Sequence, residues 1–268
     1  MRSAARVIFI GWGAINSRVG QLLESRGSAV EIAAIATSDA SRARSLLPPG
    51  VPFLSSAEQL ADLKPDLVVE AAGRAAVQQW APAALAASPA MIVTSTSAFS
   101  DDGLLAWLTD LTDKHGSKIE LPSGSIGGID ALASAAVLGL VDVTHQIIKP
   151  PLAWKGTQAE QLTDLATITE RKVLFSGSAR EAASSYPQNA NATVVTSLAG
   201  IGLDRTRVEI VADPSVSINM HTISARGEFG RLTITLENRP LARNPKSSEL
   251  TALSLVRLIE HRTRSLIV

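Results

Sequence analysis

Short runs of apolar residues recur along the first 120 positions, separated by longer stretches that are apolar on one helical face only. Arg6–Ile10, Glu31–Ala36, Leu67–Ala71, Met91–Ser95 and Lys118–Leu121 read as strands. Between them Ala14–Arg26, closed by Gly27, Ala75–Ala87 and Asp101–His115 read as helices. The last of these opens on acids and stops at "KHG", as the helix dipole favours. Apolar strands alternating with helices predict a doubly wound parallel sheet whose ligand lies at the carboxyl ends of the strands. After Pro122 the texture changes. "PSGSIGGIDALASAAVLG" is a glycine-punctuated loop feeding a small-residue helix, and from Val143 onward the runs are longer and of β type. Val208–Ala212, Ser217–Arg226 and Arg231–Glu237 are the clearest, and Ser217–Ile223 alternates with period 2, the mark of a sheet covered on one face. "ARGEFGRL" reads as a hairpin connection, and Ser248–Glu260 as a closing amphipathic helix after "NPKSS". The expected fold class is α/β: a Rossmann-type doubly wound parallel sheet, then a second α+β domain containing a mainly antiparallel sheet. The open face of that second sheet needs a partner surface, and a second copy of the chain, a homodimer, is the simplest one.

Composition narrows the function classes. Hydrophobic residues are 46% and charged residues 19% of 268, enough apolar material for a large core and too much for disorder. Lys plus Arg and Asp plus Glu are 25 each, so no net field draws nucleic acid or an anionic membrane. The absence of cysteine excludes disulfides, thiolate nucleophiles and cysteine-based zinc sites. No apolar run approaches the roughly 20 residues that span a bilayer, and "MRSAARVIFIGWG" lacks the pattern of a secretory signal. The expectation is a soluble, cytoplasmic protein with no metal site, no nucleic-acid partner and no membrane association.

The chemistry begins at "VIFIGWGAIN" (Val7–Asn16), where the first strand runs into two glycines and a helix. In that context Gly11 makes the tight turn, and Gly13 lets the backbone approach a pyrophosphate. Ala14 and Ile15 then open the helix beside it. Asn16 stands where such a turn usually carries a third glycine; its amide either meets the ligand or is accommodated by a displaced helix. A bare structural turn is the competing reading. The second strand runs into "IATSDASRAR", where an acid would bond the 2′-hydroxyl of NAD. Here Thr37 and Ser38 take that place, Asp39 comes late, and Arg42 and Arg44 follow, which suits a 2′-phosphate. The arginines fit a solvated helix face equally well. NADP or NAD is the expected cofactor, with NADP favoured.

Of four histidines, His115 and His261 read as solvated and His145 as an ordinary sheet residue. His221, in "SINMHTI", shares a strand face with Asn219, which fits either a core histidine or one presented to a ligand. Here the chain resembles the L-aspartate dehydrogenases over nearly its whole length. The resemblance rests on "PSGSIGGID" (Pro122–Asp130), "IIKPP" (Ile147–Pro151) and "FSGSAREAASSYPQNANATV" (Phe175–Val194). It continues in "LAGIGLDRTRV" (Leu198–Val208), "NMHTISARGEFG" (Asn219–Gly230) and "NPKSS" (Asn244–Ser248). It implies oxidation of L-aspartate by NAD or NADP to iminoaspartate, then oxaloacetate and ammonia, with a link to NAD synthesis. It also implies that His221 is the catalytic acid/base and that Ser125 and Asn191 contact the cofactor. The sequence departs from the family at Asn16, where glycine is usual, and at Ser125, where alanine is common. Substrate carboxylates need donors: the backbone of "SGSIGG", including Gly127, is a candidate anion site, and Lys149 and Lys246 are candidate partners, although lone lysines are more often solvated. The expected domains are 1–122 for the dinucleotide and 123–244 for substrate and dimerisation, with a terminal helix at about 245–268 packing back on the first. Competing readings are a dehydrogenase for another amino or hydroxy acid, and an NADP-binding sensor without turnover.

Overall fold

The computed structural model describes residues 4–37 and 50–268, which divide into two compact units, 1–124 with 251–268, and 125–250. Ser38, Asp39, Arg42 and Arg44 lie outside the described residues.

The first unit is built on six strands, β1 (Ala5–Ile10), β2 (Val30–Ala36), β3 (Phe53–Leu54), β4 (Leu67–Glu70), β5 (Ala90–Val93) and β6 (Lys118–Glu120). They pair in parallel in the order β3-β2-β1-β4-β5-β6. Every residue of β4 and β5 is buried, which is why these strands read as unbroken apolar runs: helices cover both faces. Helix α1 (Ala14–Ser25) follows β1, α2 (Arg74–Ala87) follows β4, and α3 (Asp102–His115) follows β5. The Asp101 carboxylate accepts from the Leu104 N–H at 3.1 Å to start α3, and Gly116, at φ 65°, ends it.

Helix α1 turns Asn16, Val19, Gly20 and Leu23 inward, the spacing of one helical stripe. That stripe explains Asn16. Its side chain is fully buried, and Nδ2 donates to the carbonyls of Ile10 at 3.2 Å and Gly11 at 2.8 Å. Neither sequence reading of Asn16 describes this: the amide is spent on closing the helix onto the strand end. Four residues on, Gly20 makes room for Trp12, whose ring a Cβ would meet at 2.7 Å. The close approach between helix and turn has moved one helical turn along from the usual third glycine.

The chain's last helix (Glu249–Glu260, labelled α7 below) sends Ala252, Leu255, Val256 and Ile259 into the same core as Val7, Phe9, Ile35, Val69 and Ile92. Its buried terminal Glu260 accepts from Arg26 Nε at 2.8 Å and Ser28 Oγ at 2.7 Å and pairs with Arg264.

The second unit holds helix α4 (Ile129–Ala136) and strand β7 (Leu140–Lys149), then β8 (Lys172–Ser178), α5 (Ala179–Ser185) and α6 (Ala190–Ala199). Strands β9 (Arg207–Ala212), β10 (Asn219–Gly227) and β11 (Gly230–Asn238) complete a sheet of order β11-β10-β7-β9-β8. All pairings are antiparallel except β7 with β9, so the sheet is mixed and mainly antiparallel. A two-stranded ribbon, β12 (Pro240–Leu241) and β13 (Asn244–Ser248), leads into α7. Leu132 and Ala135 of α4 and Val195 of α6 cluster with Val143, Ile223 and Ala225, so these helices cover one face. The opposite face is polar, carrying Thr222 against Thr235, Ser224 against Thr233 and the Arg226–Asp142 ion pair.

Asn16→Gly, which installs the third glycine such turns usually carry, is expected to destabilise the fold by ~1–3 kcal/mol through two lost carbonyl contacts. Thermal unfolding checks this; an unchanged midpoint would mean that the clamp contributes nothing.

Candidate active site

The turn after β1 separates its two glycines by cause. Gly11 sits at φ 83°, and a Cβ there would meet Ala72 Cβ at 2.7 Å and the Ala71 carbonyl at 3.0 Å. The fold alone demands this glycine. Gly13, the N-cap of α1, is exposed, and a Cβ there would have nothing within 4 Å. Packing among the described residues therefore does not require it. The N-cap Gly13 has no side chain to cap α1 and no acid stands in the first turn, so the helix end at Gly13, Ala14 and Ile15 has the polarity that suits an anion. The site lies where strand order reverses, between β1 and β4. These residues fit the pyrophosphate of a dinucleotide.

Glu70, at the end of β4, is fully buried. One oxygen accepts from the N–H groups of Ala72 (2.6 Å) and Gly73 (2.9 Å) and from Ser95 Oγ (2.7 Å), and the other from Ser95 N–H (3.0 Å). The carboxylate thus ties the loop after β4 to the loop after β5. Arg74, four residues on from Glu70, donates from Nε to Ser97 Oγ at 3.0 Å.

In the second unit, alternation along β10 puts Asn219, His221 and Ile223 on the helix-covered face, and alternation along β7 puts His145, Ile147 and Lys149 there too. Register pairs His221 with Ile147 and Ile223 with His145, so the two histidines are diagonal neighbours, a separation that rings can bridge. They do: His145 Nε2 lies 2.9 Å from His221 Nδ1. The far nitrogen of His145, Nδ1, lies 3.0 Å from Thr196 Oγ1 on α6. His145 is fully buried and His221 is 7% exposed. Lys149 Nζ donates to Asn189 Oδ1 at 2.9 Å and sits 4.4 Å from the centre of the Trp154 ring.

The electrostatics follow from burial. Desolvation, and secondarily the charge of Lys149, pushes His221 down to about 4, so the imidazole is neutral at physiological pH. His145 is driven well below its usual value, first by desolvation and then by His221. Burial lowers Lys149 to about 8, which leaves it mostly charged at neutrality.

The other residues named from sequence fall in distinct places. The Ser125 carbonyl accepts from Asn238 Nδ2 at 2.7 Å, and Asn238 is the register partner of Asn219. A Cβ at Gly127 would come within 3.3 Å of Leu236, the register partner of His221. A Cβ at Gly128, the N-cap of α4, would run into Ile234, so packing accounts for this glycine. The fold thus brings Ser125 and Gly127 to the strand pair that carries Asn219 and His221, with Lys149 on the same face. Asn191 is exposed near the start of α6. Lys246 is exposed on the β12–β13 ribbon, and no bond joins its side chain to this group among the described residues. Sequence reasoning missed His145, Thr196 and Asn189. His145 lay in plain view, but its partner depends on register; Thr196 sits in a helix that "NANATVVTSLAG" does not announce. Among the described residues no group of three or more His, Asp or Glu forms a metal cluster.

A doubly wound parallel sheet with a glycine turn at its switch point in one unit, and a mixed-sheet unit that buries an imidazole, are the parts of a nicotinamide-dependent oxidoreductase. Residues 11–122 match the homoserine dehydrogenase NAD-binding domain family, and residues 130–262 match the aspartate dehydrogenase C-terminal family. The chain is 50% identical over 268 residues to an L-aspartate dehydrogenase of Brucella anthropi, covering 100% of both. It is 42% identical over 265 residues to one of Pseudomonas aeruginosa, covering 97% of this chain and 98% of the relative. The solved aspartate dehydrogenase of Thermotoga maritima superposes with a TM-score of 0.77 at 26% identity, covering 98% and 99% of the two chains. The chain belongs to the L-aspartate dehydrogenase family.

The low value for His221 makes stability depend on pH. The unfolded imidazole binds its proton near 6.5 and the folded one near 4. Between those values the unfolded chain holds more protons, so stability is complete above about 6.5 and falls with acidification, by on the order of 3 kcal/mol for this group. Denaturant midpoints at pH 7 and pH 5 should drop accordingly, and His221→Asn should flatten the slope. A variant as acid-sensitive as its parent would place the titration elsewhere.

Proposed function

We propose that this protein oxidises L-aspartate with NAD or NADP to iminoaspartate, which water converts to oxaloacetate and ammonia. The observation that carries the reading is a neutral imidazole, His221, sharing one covered strand face with the half-buried ammonium of Lys149. An amino acid dehydrogenase needs both: a base for the amine and a cation for a carboxylate.

In this reading residues 1–122 serve the dinucleotide and 123–244 the substrate and dimer contact, with the terminal helix completing the first part. The turn at Gly11 and Gly13 and the backbone of Ala14 and Ile15 hold the pyrophosphate; Ser38, Ser125 and Asn191 make further cofactor contacts. Bound there, the nicotinamide supplies the hydride acceptor. His221 takes a proton from the substrate ammonium, since only the free amine can push electrons into a C=N bond as hydride leaves Cα. After passing that proton to solvent, the neutral ring takes a proton from the water that attacks the carbon of the protonated imine and returns it to the departing nitrogen, so acid and base roles alternate on one residue. Lys149, held by Asn189 against Trp154, receives a carboxylate, whose charge raises the lysine back toward its ordinary value. The backbone near Gly127 and the side chains of Asn219 and Lys246 complete the substrate contacts. The polar open face of the second sheet is the surface through which a homodimer would form, and a cytoplasmic setting suits the cysteine-free chain.

Reduction of NAD and of NADP, followed by nicotinamide absorbance, is expected with L-aspartate and not with glutamate or alanine. His221→Ala should lower kcat by about 10²–10⁴-fold and leave cofactor binding intact. Wild-type kcat in that variant would remove His221 from the mechanism; a different preferred amino acid would move the substrate assignment while keeping the reaction class.

A further inference from the structure

The proton positions in the buried chain of groups behind His221 can be counted. Thr196 has one hydroxyl proton, for which two groups compete: its Oγ1 lies 3.0 Å from the Ala192 carbonyl, one helical turn back, and 3.0 Å from His145 Nδ1. The carbonyl can only accept, whereas a neutral imidazole accepts at one nitrogen and donates from the other. Two arrangements of neutral rings place one proton between His145 Nε2 and His221 Nδ1 and so keep that bond.

In the first, Thr196 donates to Ala192 O and accepts from His145 Nδ1–H. His145 Nε2 is then bare and accepts from His221 Nδ1–H, which leaves His221 Nε2 unprotonated. In the second, Thr196 donates to His145 Nδ1, His145 Nε2–H donates to His221 Nδ1, and His221 Nε2 carries the proton. The first arrangement makes three hydrogen bonds among these groups and the second makes two. Both His145 and Thr196 are fully buried, so water cannot replace the missing bond. The outer nitrogen, His221 Nε2, has no partner among the described residues, so nothing on that side opposes the choice.

We infer that Thr196 and His145 are positioning residues that hold His221 as its Nδ1–H tautomer and thereby present Nε2 as a bare, basic nitrogen. The inference rests on the proposed role of His221 as the proton acceptor, and it assigns work to two residues that touch no substrate. It also explains why a polar pair is kept in an apolar layer: Ile147, Ile210 and Ile223, which neighbour it in the sheet, are all fully buried. His145 relays a proton preference set by a helix carbonyl to a nitrogen two residues away across the strand pair. Thr196 fits this task because its hydroxyl can donate and accept at once; valine has the same shape and can do neither.

The experiment is nitrogen NMR on the full-length protein labelled at histidine, with His221 assigned by its loss in His221→Ala. The wild type is expected to show His221 protonated at Nδ1 and bare at Nε2; the opposite tautomer would overturn the inference whatever the activity. Thr196→Val should shift His221 toward the Nε2–H form and lower kcat by about tenfold or more, as for a base held in the wrong tautomer. The KM for aspartate should stay close to wild type, and Thr196→Ser should restore both the signal and kcat. Wild-type kcat and an unchanged His221 signal in Thr196→Val would also overturn it. Failure of the underlying reading looks different: His221→Ala would keep its turnover even though the tautomer is as inferred.

Discussion

The antiparallel register of β7 against β10 is the constraint on which the chemistry of this chain depends. With Ile223 opposite His145 and His221 opposite Ile147, two rings meet at 2.9 Å on the covered face. A slip of one residue would send every side chain of a strand to the other face and put one imidazole among the exposed threonines. The apolar positions prevent that slip, because Val143, Ile223 and Ala225 must lie under α4 and α6. The core thus aligns the site, and burial then sets its electrostatics: the same desolvation that keeps His221 neutral lowers Lys149 without discharging it.

The nucleotide side shows how packing and ligand binding divide the responsibility for a short motif. Gly11 is forced by the backbone of the loop at Ala71 and Ala72, a loop that the buried Glu70 carboxylate fixes in place. Gly13 has open space where a side chain would be, so no packing among the described residues demands it. The expected third glycine is absent because Asn16 clamps the carbonyls of Ile10 and Gly11, and the small residue needed for close approach is Gly20, over Trp12. Each departure from the pattern is thus matched by a local substitute that keeps the turn shut and the helix end open.

A comparable division holds in the "PSGSIGGID" segment. Gly128 is glycine because Ile234 fills the space beside it, while Ser125 is anchored through its carbonyl by Asn238. The anion-site reading of this loop therefore rests on the neighbourhood of Gly127 rather than on the number of glycines. Lys149 and Lys246, equivalent as letters, separate by environment: one is half-buried against Trp154 and Asn189, the other exposed on a ribbon.

What the sequence determined by itself was the alternation of elements, the turn at Gly11 and Gly13, the strand carrying Asn219 and His221, and the family. These are local or cumulative signals: apolar periodicity, glycine spacing and motif order are written along the chain and need no partner to be read. Only the tertiary structure decided that His145 pairs with His221, that Thr196 stands behind them, that Asn189 holds Lys149, and that Asn16 closes a turn. Each of those joins residues whose meeting is set by register or by helix packing, and a diagonal contact between β7 and β10 spans 76 positions of sequence. Hydrogen bonds of that kind leave no periodic trace, because the chain between the partners is constrained by its own packing and not by the bond it closes.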